Sequence, residues 1–365
     1  MTTYKEIRGT NIEAVASDPS NFVEGQVWYN STSGAVKGFI NDPGSWSTGA
    51  DLNTARTEVG GAGTSASGLV FGGSPNRNET ESYNGTAWTE VNNLGTGRSL
   101  DVTLGLGTAT AALAVGGSTQ PFAVSALTEK WNGTNWTEVN DLNTARRLLG
   151  GAGTQTSALA FGGFLPPESG ITETWNGTNW TETADLNTPR FGLAGCGASN
   201  TSALAIGGFS PSIGRSALTE NWNGSAWTEV NDLNTGRNNV AGCGISTAAL
   251  AFGGITPPSS ALTESWNGTN WTEVNDLNTA RSQLTGAGTN TSALAFGSTA
   301  ITESWNGTNW TEVGDLNTAR DQLAGGGAGS TTAALGFGGY LPSGAEAAAT
   351  EEWNAGNVLV TFGTS

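Results

Sequence analysis

The chain has 365 residues, and its 14 Lys and Arg against 31 Asp and Glu give a formal net charge of −17. It contains 55 Gly, 14 Trp, two Cys and no His. Without His, a Ser-His-Asp triad, an imidazole base and a His-liganded metal are excluded. The negative charge argues against nucleic-acid binding, and two Cys are too few for a disulfide scaffold.

The first 44 residues differ in composition from the rest of the chain. Residues 1–10 carry charges and no apolar core, so we expect no secretory signal peptide. No apolar run approaches the roughly 18 residues of a membrane helix, which predicts synthesis in a cytoplasm without membrane insertion. Residues 24–39 contain two apolar stretches around a polar turn with Gly34, which predicts a β-hairpin.

From residue 45 onward, a unit of about 44 residues recurs. Each copy has a loop of the type Asp-Leu-Asn-Thr-Ala-Arg, an apolar run ending in Gly-Gly, an aromatic residue, and in six copies a Trp five residues later. The sixth copy degrades Gly-Gly to Gly297-Ser298. The loops end at Arg56, Arg98, Arg146, Arg190, Arg237, Arg281 and Arg320.

Each unit has the pattern of four short strands. Gly density and Thr, Trp and Val content disfavour helix. Asn-Gly between the last two strands predicts a tight turn, because both residues tolerate a positive φ. Four strands in about 44 residues is the size of a propeller blade.

These features predict an all-β fold, namely a seven-bladed β-propeller with four strands per blade over residues 45–357. Residues 1–44 would form an attachment segment with a short β-hairpin, and residues 358–365 a C-terminal strand or tail. The last unit has Trp353 but no second Trp, whereas Trp46 precedes the first complete unit. We therefore expect residues 45–48 to supply the outer strand of the seventh blade, with residues 358–362 as the alternative.

The order of apolar run, Gly-Gly, aromatic residue, second Trp and Arg loop resembles the Kelch repeat, over residues 45 to about 354. The resemblance implies a seven-bladed β-propeller and leaves the function open, because Kelch proteins differ widely in function. The hairpin sequence Gly-Gln-Val-Trp-Tyr-Asn-x-Thr-x-Gly-x-x-Lys, which begins at Gly25, is similar to segments of bacteriophage tail and fibre proteins.

The seven loop Arg residues are the first candidate contact site. In an up-and-down blade they share a face with the loops after Gly-Gly. One interpretation pairs each Arg with loop carbonyls or with the Asp five residues before it, as Asp141 with Arg146. The other makes them a cationic ring for an anionic ligand such as an acidic glycan.

The loops after Gly-Gly differ most between units, and several carry aromatic residues. Recognition residues concentrate in variable loops on a rigid scaffold. These loops therefore predict a contact face, and the alternative is that their tips pack on neighbouring loops or on another subunit. The aromatic candidates are Phe122, Phe164, Phe209 and Tyr340.

Two further sets of residues have structural interpretations. In six units a third-strand Glu would face a fourth-strand Glu, as Glu129 faces Glu138. Paired carboxylates occur in glycosidases and Ca²⁺ sites. An enzyme needs one active site, however, whereas these pairs occur in six units. We therefore interpret the Glu pairs as solvated surface residues, with scattered cation sites as the alternative. Cys196 and Cys243 occupy equivalent positions, and we expect small buried residues there without a disulfide.

No isolated acid–base constellation stands out, so we expect no enzyme, catalytic residue, cofactor or metal. We expect a structural protein of a bacteriophage virion (tail, fibre or surface decoration), present in several copies. Residues 1–44 would attach it to other virion proteins through Tyr4, Trp28, Tyr29 and Phe39, and the propeller would contact a protein or glycan on the host surface. The alternative is a bacterial surface adhesin or a carbohydrate-binding Kelch propeller.

Overall fold

A computed structural model describes residues 12–100, 106–119, 123–326 and 330–362. Within these ranges the regular structure is β-strand, and no helix that could span a membrane is present. The chain divides into two compact units. The larger unit is Ser45–Asn354, and the smaller unit combines the segments before residue 45 and after residue 354.

The larger unit contains six four-stranded antiparallel sheets, numbered 1 to 6 in chain order. The strands of sheets 1 and 2 are Gly60–Thr64, Ser67–Phe71, Thr80–Tyr83 and Trp88–Glu90, then Leu106–Thr108, Ala111–Val115, Thr128–Trp131 and Trp136–Glu138. Those of sheets 3 and 4 are Gly150–Thr154, Ser157–Phe161, Thr172–Trp175 and Trp180–Glu182, then Ala194–Ser199, Ser202–Ile206, Thr219–Trp222 and Trp227–Glu229. Those of sheets 5 and 6 are Ala241–Ile245, Ala248–Phe252, Thr263–Trp266 and Trp271–Glu273, then Thr285–Gly288, Ala293–Phe296, Glu303–Trp305 and Trp310–Glu312.

Sheet 7 begins with Ala324–Gly326 and Ala333–Phe337, followed by the start of the strand Thr350–Phe362. The end of the strand Ala35–Thr48 lies beside it, where the rings of Trp46 and Trp353 are 5.5 Å apart. Two short hairpins follow Gly-Gly in sheets 2 and 4, namely Ser118–Thr119 with Ala123–Val124 and Phe209–Ser210 with Gly214–Arg215. The architecture is all-β and propeller-like, as the sequence predicts.

Neighbouring sheets are joined by two recurring hydrogen bonds. The fourth-strand Trp donates its indole N–H to the Thr that precedes the third-strand Glu of the neighbouring sheet, as Trp180 does to Thr128 at 2.9 Å. The second Gly of Gly-Gly donates its N–H to the carbonyl of the next loop Arg, as Gly163 does to Arg190 at 2.9 Å. The first strands of successive sheets also contact one another, and the first strand of sheet 7 contacts that of sheet 1.

The hydrophobic core lies between the sheets. One cluster combines Leu113 of sheet 2 with Ala158, Trp175 and Trp180 of sheet 3, all of them buried. The third- and fourth-strand Trp rings of one sheet pack together, with 5.3 Å between the ring centroids of Trp175 and Trp180. The first strands carry Gly because the backbones approach closely, and a Cβ on Gly195 would lie 2.4 Å from the carbonyl oxygen of Gly151.

The Asn-Gly turn differs from the prediction. Pairing of Trp131 with Trp136 leaves a four-residue loop. The Asn132 side chain closes it by accepting hydrogen bonds from the N–H groups of Thr134 and Asn135, at 2.9 and 2.8 Å. Only the glycine, Gly133, has a positive φ, because the Asn acts through its side chain as in an Asx turn.

The smaller unit contains the predicted hairpin. Val27–Asn30 pairs antiparallel with the start of Ala35–Thr48, and a strand that the sequence analysis missed, Glu13–Val15, pairs parallel with Val27–Asn30. The end of Thr350–Phe362 also belongs to this unit. The predicted tail, residues 358–365, therefore groups in its described part with the N-terminal segment.

Candidate binding face at the first-strand cavity

The seven loop Arg side chains are buried, each with at most 1% of its surface exposed. Each forms an ion pair with the Glu of the third strand, at 2.5 to 3.1 Å. The pairs are Arg56 with Glu81, Arg98 with Glu129, Arg146 with Glu173, Arg190 with Glu220, Arg237 with Glu264, Arg281 with Glu303 and Arg320 with Glu351.

The rest of the loop motif completes this buried arrangement. Asn143 donates its backbone N–H and its Nδ2 to the second oxygen of Glu173, at 2.7 and 2.8 Å. Asp141 instead accepts the backbone N–H of Thr128 at 2.9 Å, at the start of the third strand of the preceding sheet. One loop therefore fastens two neighbouring sheets.

The sequence-based assignment of these Arg residues to a ligand-contacting face is wrong, because a fully buried guanidinium cannot reach a ligand. The pairing of each Arg with the Asp five residues earlier is also wrong, because that Asp accepts the backbone N–H at the start of a third strand, as Asp141 does from Thr128. The interpretation with backbone carbonyls holds in part, because Arg237 also donates to the carbonyl of Leu262 at 2.5 Å.

Burial and ion pairing act on the Arg residues in opposite directions. Burial lowers the pKa of the Arg146 guanidinium to about 10, while Glu173 opposes the shift. Arg146 therefore stays protonated at neutral pH, and the charge is balanced inside the sheet.

The predicted facing of Glu residues occurs, but the two members of each pair differ. Glu173 is opposite Glu182 in the register, and Glu173 is buried against Arg146 while Glu182 is exposed. The interpretation of both as solvated is wrong for the third-strand member, whose two oxygens are already bound by Arg and Asn. Over the described ranges, no group of three Asp, Glu or Cys side chains is arranged to hold a metal ion.

Variation between the units concentrates directly after the buried Arg. The two residues that follow it are Thr-Glu, Ser-Leu, Arg-Leu, Phe-Gly, Asn-Asn, Ser-Gln and Asp-Gln from the first unit to the seventh. In six sheets, the first of them forms a β-bridge with the residue after Gly-Gly: Thr57 with Ser74, Ser99 with Ser118, Arg147 with Phe164, Phe191 with Phe209, Asn238 with Ile255 and Asp321 with Tyr340. The variable positions and the variable loops therefore meet along one face, which we call the variable face.

Aromatic side chains of the variable face cluster on sheets 3 and 4. The ring of Phe191 lies 5.3 Å from Phe164 and 5.5 Å from Phe209, edge to face in both cases. The guanidinium of Arg147 lies over Phe164 at 5.3 Å. Phe164 and Phe209 are half-buried, so these loop tips pack on each other and keep part of their surface accessible.

Tyr340 lies on the same face in sheet 7 and is also half-buried. Burial, followed by the charges of Glu58 and Glu346, raises the pKa of its hydroxyl. Its bridge partner Asp321 also has its pKa raised by burial. Phe122, the remaining aromatic candidate, lies outside the described residues.

A cavity of about 550 Å³ opens between the first strands. Small residues form its walls, among them Gly150, Gly151, Gly195 and Gly242. Larger side chains line it as well. They include Arg147, Leu193, Val240 and Leu284, and the second residues after the loop Arg, namely Glu58, Leu148, Asn239, Gln283 and Gln322. This volume is in the range of pockets for small ligands.

The proposed attachment residues have different environments in the smaller unit. Trp28 is 1% exposed, so its assignment as a contact residue is wrong; its indole donates to Asp18 at 3.1 Å. Tyr29 is exposed. Phe39 is half-buried and stacks on Phe22, with ring centroids 4.7 Å apart. Tyr4 lies outside the described residues.

Cys196 and Cys243 are buried free thiols of the first strands. Burial raises the pKa of both, that of Cys196 to about 12. Low thiolate content and lack of access make them poor nucleophiles.

Sequence reasoning missed two sets of residues. The Arg partner was signalled by Thr-Glu, which recurs in all seven third strands. The cavity-lining residues were signalled by their variation beside an otherwise repeated loop.

No protein-family model matches this chain, and no curated protein matches it in sequence. Among solved structures, the fold of this chain is similar to the structure of YjhT, with 10% sequence identity and a TM-score of 0.53. The match covers 83% of this chain and 96% of the YjhT chain. At this identity the likeness shows the fold alone.

Proposed function

We propose that the larger unit is a closed seven-bladed β-propeller of the Kelch type, with residues 45–48 as the outer strand of the seventh blade. Trp46 supports this closure, because its indole donates to Thr302 Oγ1 at 2.8 Å, the same bond that the other fourth-strand Trp residues make. Gly339 donates to the carbonyl of Arg56 at 3.0 Å, which links the last unit to the first. The alternative strand, residues 358–362, belongs to the smaller unit.

The proposed biochemical role is recognition without catalysis. The variable face carries this proposal: residues that hold the sheets together repeat almost unchanged, whereas the residues that differ gather on one face around a cavity. A repeated scaffold with diversified surface positions is the arrangement of a binding protein. The third-strand Glu residues, the strongest acid–base candidates, are occupied by Arg and Asn.

The proposed setting is a bacteriophage virion, as a tail, fibre or surface component in several copies. The smaller unit would bind other virion proteins, and the variable face would contact a protein or glycan of the host surface. Support comes from the phage-like hairpin sequence at Gly25 and from exposed apolar residues. Among the described residues, six of the eight exposed large apolar side chains lie in the smaller unit: Ile12, Phe22, Val23, Tyr29, Val358 and Leu359.

Mass spectrometry of purified virions, combined with lysine- and carboxylate-reactive cross-linking, tests this setting. We expect the chain in several copies per particle, with cross-links from Glu13, Glu24 or Lys37 to another virion protein. Absence from particles, with the chain found instead on the surface of bacterial cells, would overturn the virion assignment in favour of an adhesin.

Labelled full-length protein in which Phe164 and Phe209 are changed to Ser should bind host cells less than the parent, whereas Ser225→Cys in an exposed turn serves as the matched control.

A further inference from the structure

Six cavity-lining residues share an unusual backbone conformation. The second residue after the loop Arg has a φ between 47° and 60° in the six units where this conformation occurs: Glu58, Leu148, Gly192, Asn239, Gln283 and Gln322. Two neighbouring pairs are joined through the backbone: Gly192 donates its N–H to the carbonyl of Leu148 at 3.1 Å, and Asn239 donates its N–H to the carbonyl of Gly192 at 3.0 Å. We call these six residues the rim.

Left-handed backbone is strained for residues other than glycine, and Asn tolerates it better than the others. Glycine would therefore be the most stable choice at every rim position, yet only Gly192 is glycine. Glycine is common elsewhere in the chain. The five other rim residues therefore lower the stability of the protein relative to glycine at the same positions. Strain concentrated around a cavity is an indication of function.

The rim has a polar side and an apolar side. Asn239, Gln283, Gln322 and Glu58 follow one another on the successive units from the fifth through the seventh to the first, and Ser99 Oγ donates to Glu58 at 2.6 Å. Leu148 and Gly192 stand on the third and fourth units. The three amides both donate and accept hydrogen bonds, and the carboxylate accepts them.

We propose that the first-strand cavity binds a neutral, hydroxyl-rich ligand, a hexose unit of a surface polysaccharide. A pyranose ring has hydroxyl groups around its edge and a face of C–H groups, which match the amide side and the Leu148 side of the rim. Glu58 and Arg147 both line the cavity and balance each other in charge, and the net charge of −17 disfavours an anionic ligand. This inference deepens the proposed function and rests on it only for the source of the sugar.

Rim variants test the site, because they separate binding from folding. The full chain is applied to an array of immobilised neutral and carboxylated oligosaccharides, and the best neutral ligand is then titrated by calorimetry. Gln283→Gly and Gln322→Gly should each weaken binding about tenfold, as expected for one net hydrogen bond. The same variants should keep or raise the melting temperature, because glycine relieves the strained backbone.

Ser298→Gly is the matched control. Ser298 has a φ of 69° and lies outside the cavity lining, so this variant relieves the same backbone strain without removing a ligand contact. It should leave affinity unchanged. Equal affinity of the rim variants and the parent, binding to carboxylated sugars alone, or no binding to any sugar on the array would each overturn the proposal.

The proposed function and this inference fail in different ways. Saccharide binding that is lost in the rim variants, in a protein absent from virions, leaves the cavity assignment intact and removes the virion role. Host-cell binding that neither neutral sugars nor rim variants affect leaves the recognition role intact and removes the cavity assignment.

Discussion

Arg237 and Glu264 lie 27 residues apart in the chain and form a buried ion pair with Nη2 and Oε1 2.8 Å apart. Asn234 donates two further hydrogen bonds to the same carboxylate, at 2.7 and 2.8 Å. This arrangement recurs, with Gly95 in place of Asn in the second unit, in all seven sheets. The loop between neighbouring sheets therefore contributes a buried polar network to an otherwise apolar core.

Removing one charge from this buried polar network should destabilise the protein strongly. Arg237→Met leaves Glu264 buried and unpaired, and we expect the free energy of unfolding to fall by about 3–5 kcal/mol. Urea denaturation followed by Trp fluorescence measures it. Arg77→Met is the control, because Arg77 is one-third exposed and its ion pairs with Glu79 and Glu346 are long, at 3.5 and 3.8 Å, so its loss should cost less than about 1 kcal/mol. Equal effects of the two variants would contradict the structural role assigned to the buried pair.

Trp46 should be essential for stability although it precedes the first complete unit. Its side chain is 7% exposed and contacts the rings of Phe296 and Trp353, at 4.9 and 5.5 Å. Trp46→Ala removes these contacts and leaves a cavity, and we expect a loss of about 3–5 kcal/mol in the free energy of unfolding. Guanidinium denaturation of the full-length chain provides the measurement.

Leu359→Ala distinguishes the two candidate closing strands. Leu359 is 44% exposed, so its truncation should change the free energy of unfolding by less than about 0.5 kcal/mol. If Leu359→Ala destabilised the protein as much as Trp46→Ala, residues 358–362 rather than 45–48 would have the closing role.

The strand pattern was predictable because it depends on local chemistry. Gly-Gly ends the second strand through positive φ values, as at Gly162 and Gly163, and the sequences Thr-Glu-x-Trp and Trp-Thr-Glu define the third and fourth strands. The partner of each Arg was not predictable from charge spacing alone. Asp141 is nearer in sequence to Arg146 than Glu173 is, but a buried cation needs a carboxylate that is buried with it, and burial depends on how the sheets pack.

The candidate site was predictable only in outline. Variation in the loops after Gly-Gly indicated the face, and Phe164 and Phe209 do lie on it. The rim residues were not predictable, because left-handed backbone at Gln283 or Leu148 contradicts the preference of those residue types. Trp28 was misassigned for the opposite reason: an aromatic residue in a short segment suggested a contact, while its neighbours Asp18 and Phe22 bury it.

The two thiols should resist alkylation in the native protein. Burial raises the pKa of Cys196 to about 12 and also raises that of Cys243, and both side chains are at most 8% exposed. Iodoacetamide at pH 8 should leave the intact mass unchanged, and both thiols should react once guanidinium unfolds the chain. Ser225→Cys supplies an exposed thiol that reacts in the native state as an internal standard. Modification of Cys196 or Cys243 at the rate of that standard would contradict their placement in the first strands.

Asp18 should make the smaller unit sensitive to acid. Hydrogen bonds from Lys37, then Asn30 and Trp28, lower the pKa of Asp18 from 3.8 to about 2. Because the folded pKa is depressed, its stabilising contribution is present above about pH 4 and is lost as the pH falls toward 2. The Trp28 indole N–H resonance in the full-length protein should therefore shift between pH 4 and 2. Asp18→Asn should abolish this transition, whereas Glu24→Gln, at an exposed position, should preserve it; a transition that survives Asp18→Asn would assign the acid sensitivity to another group.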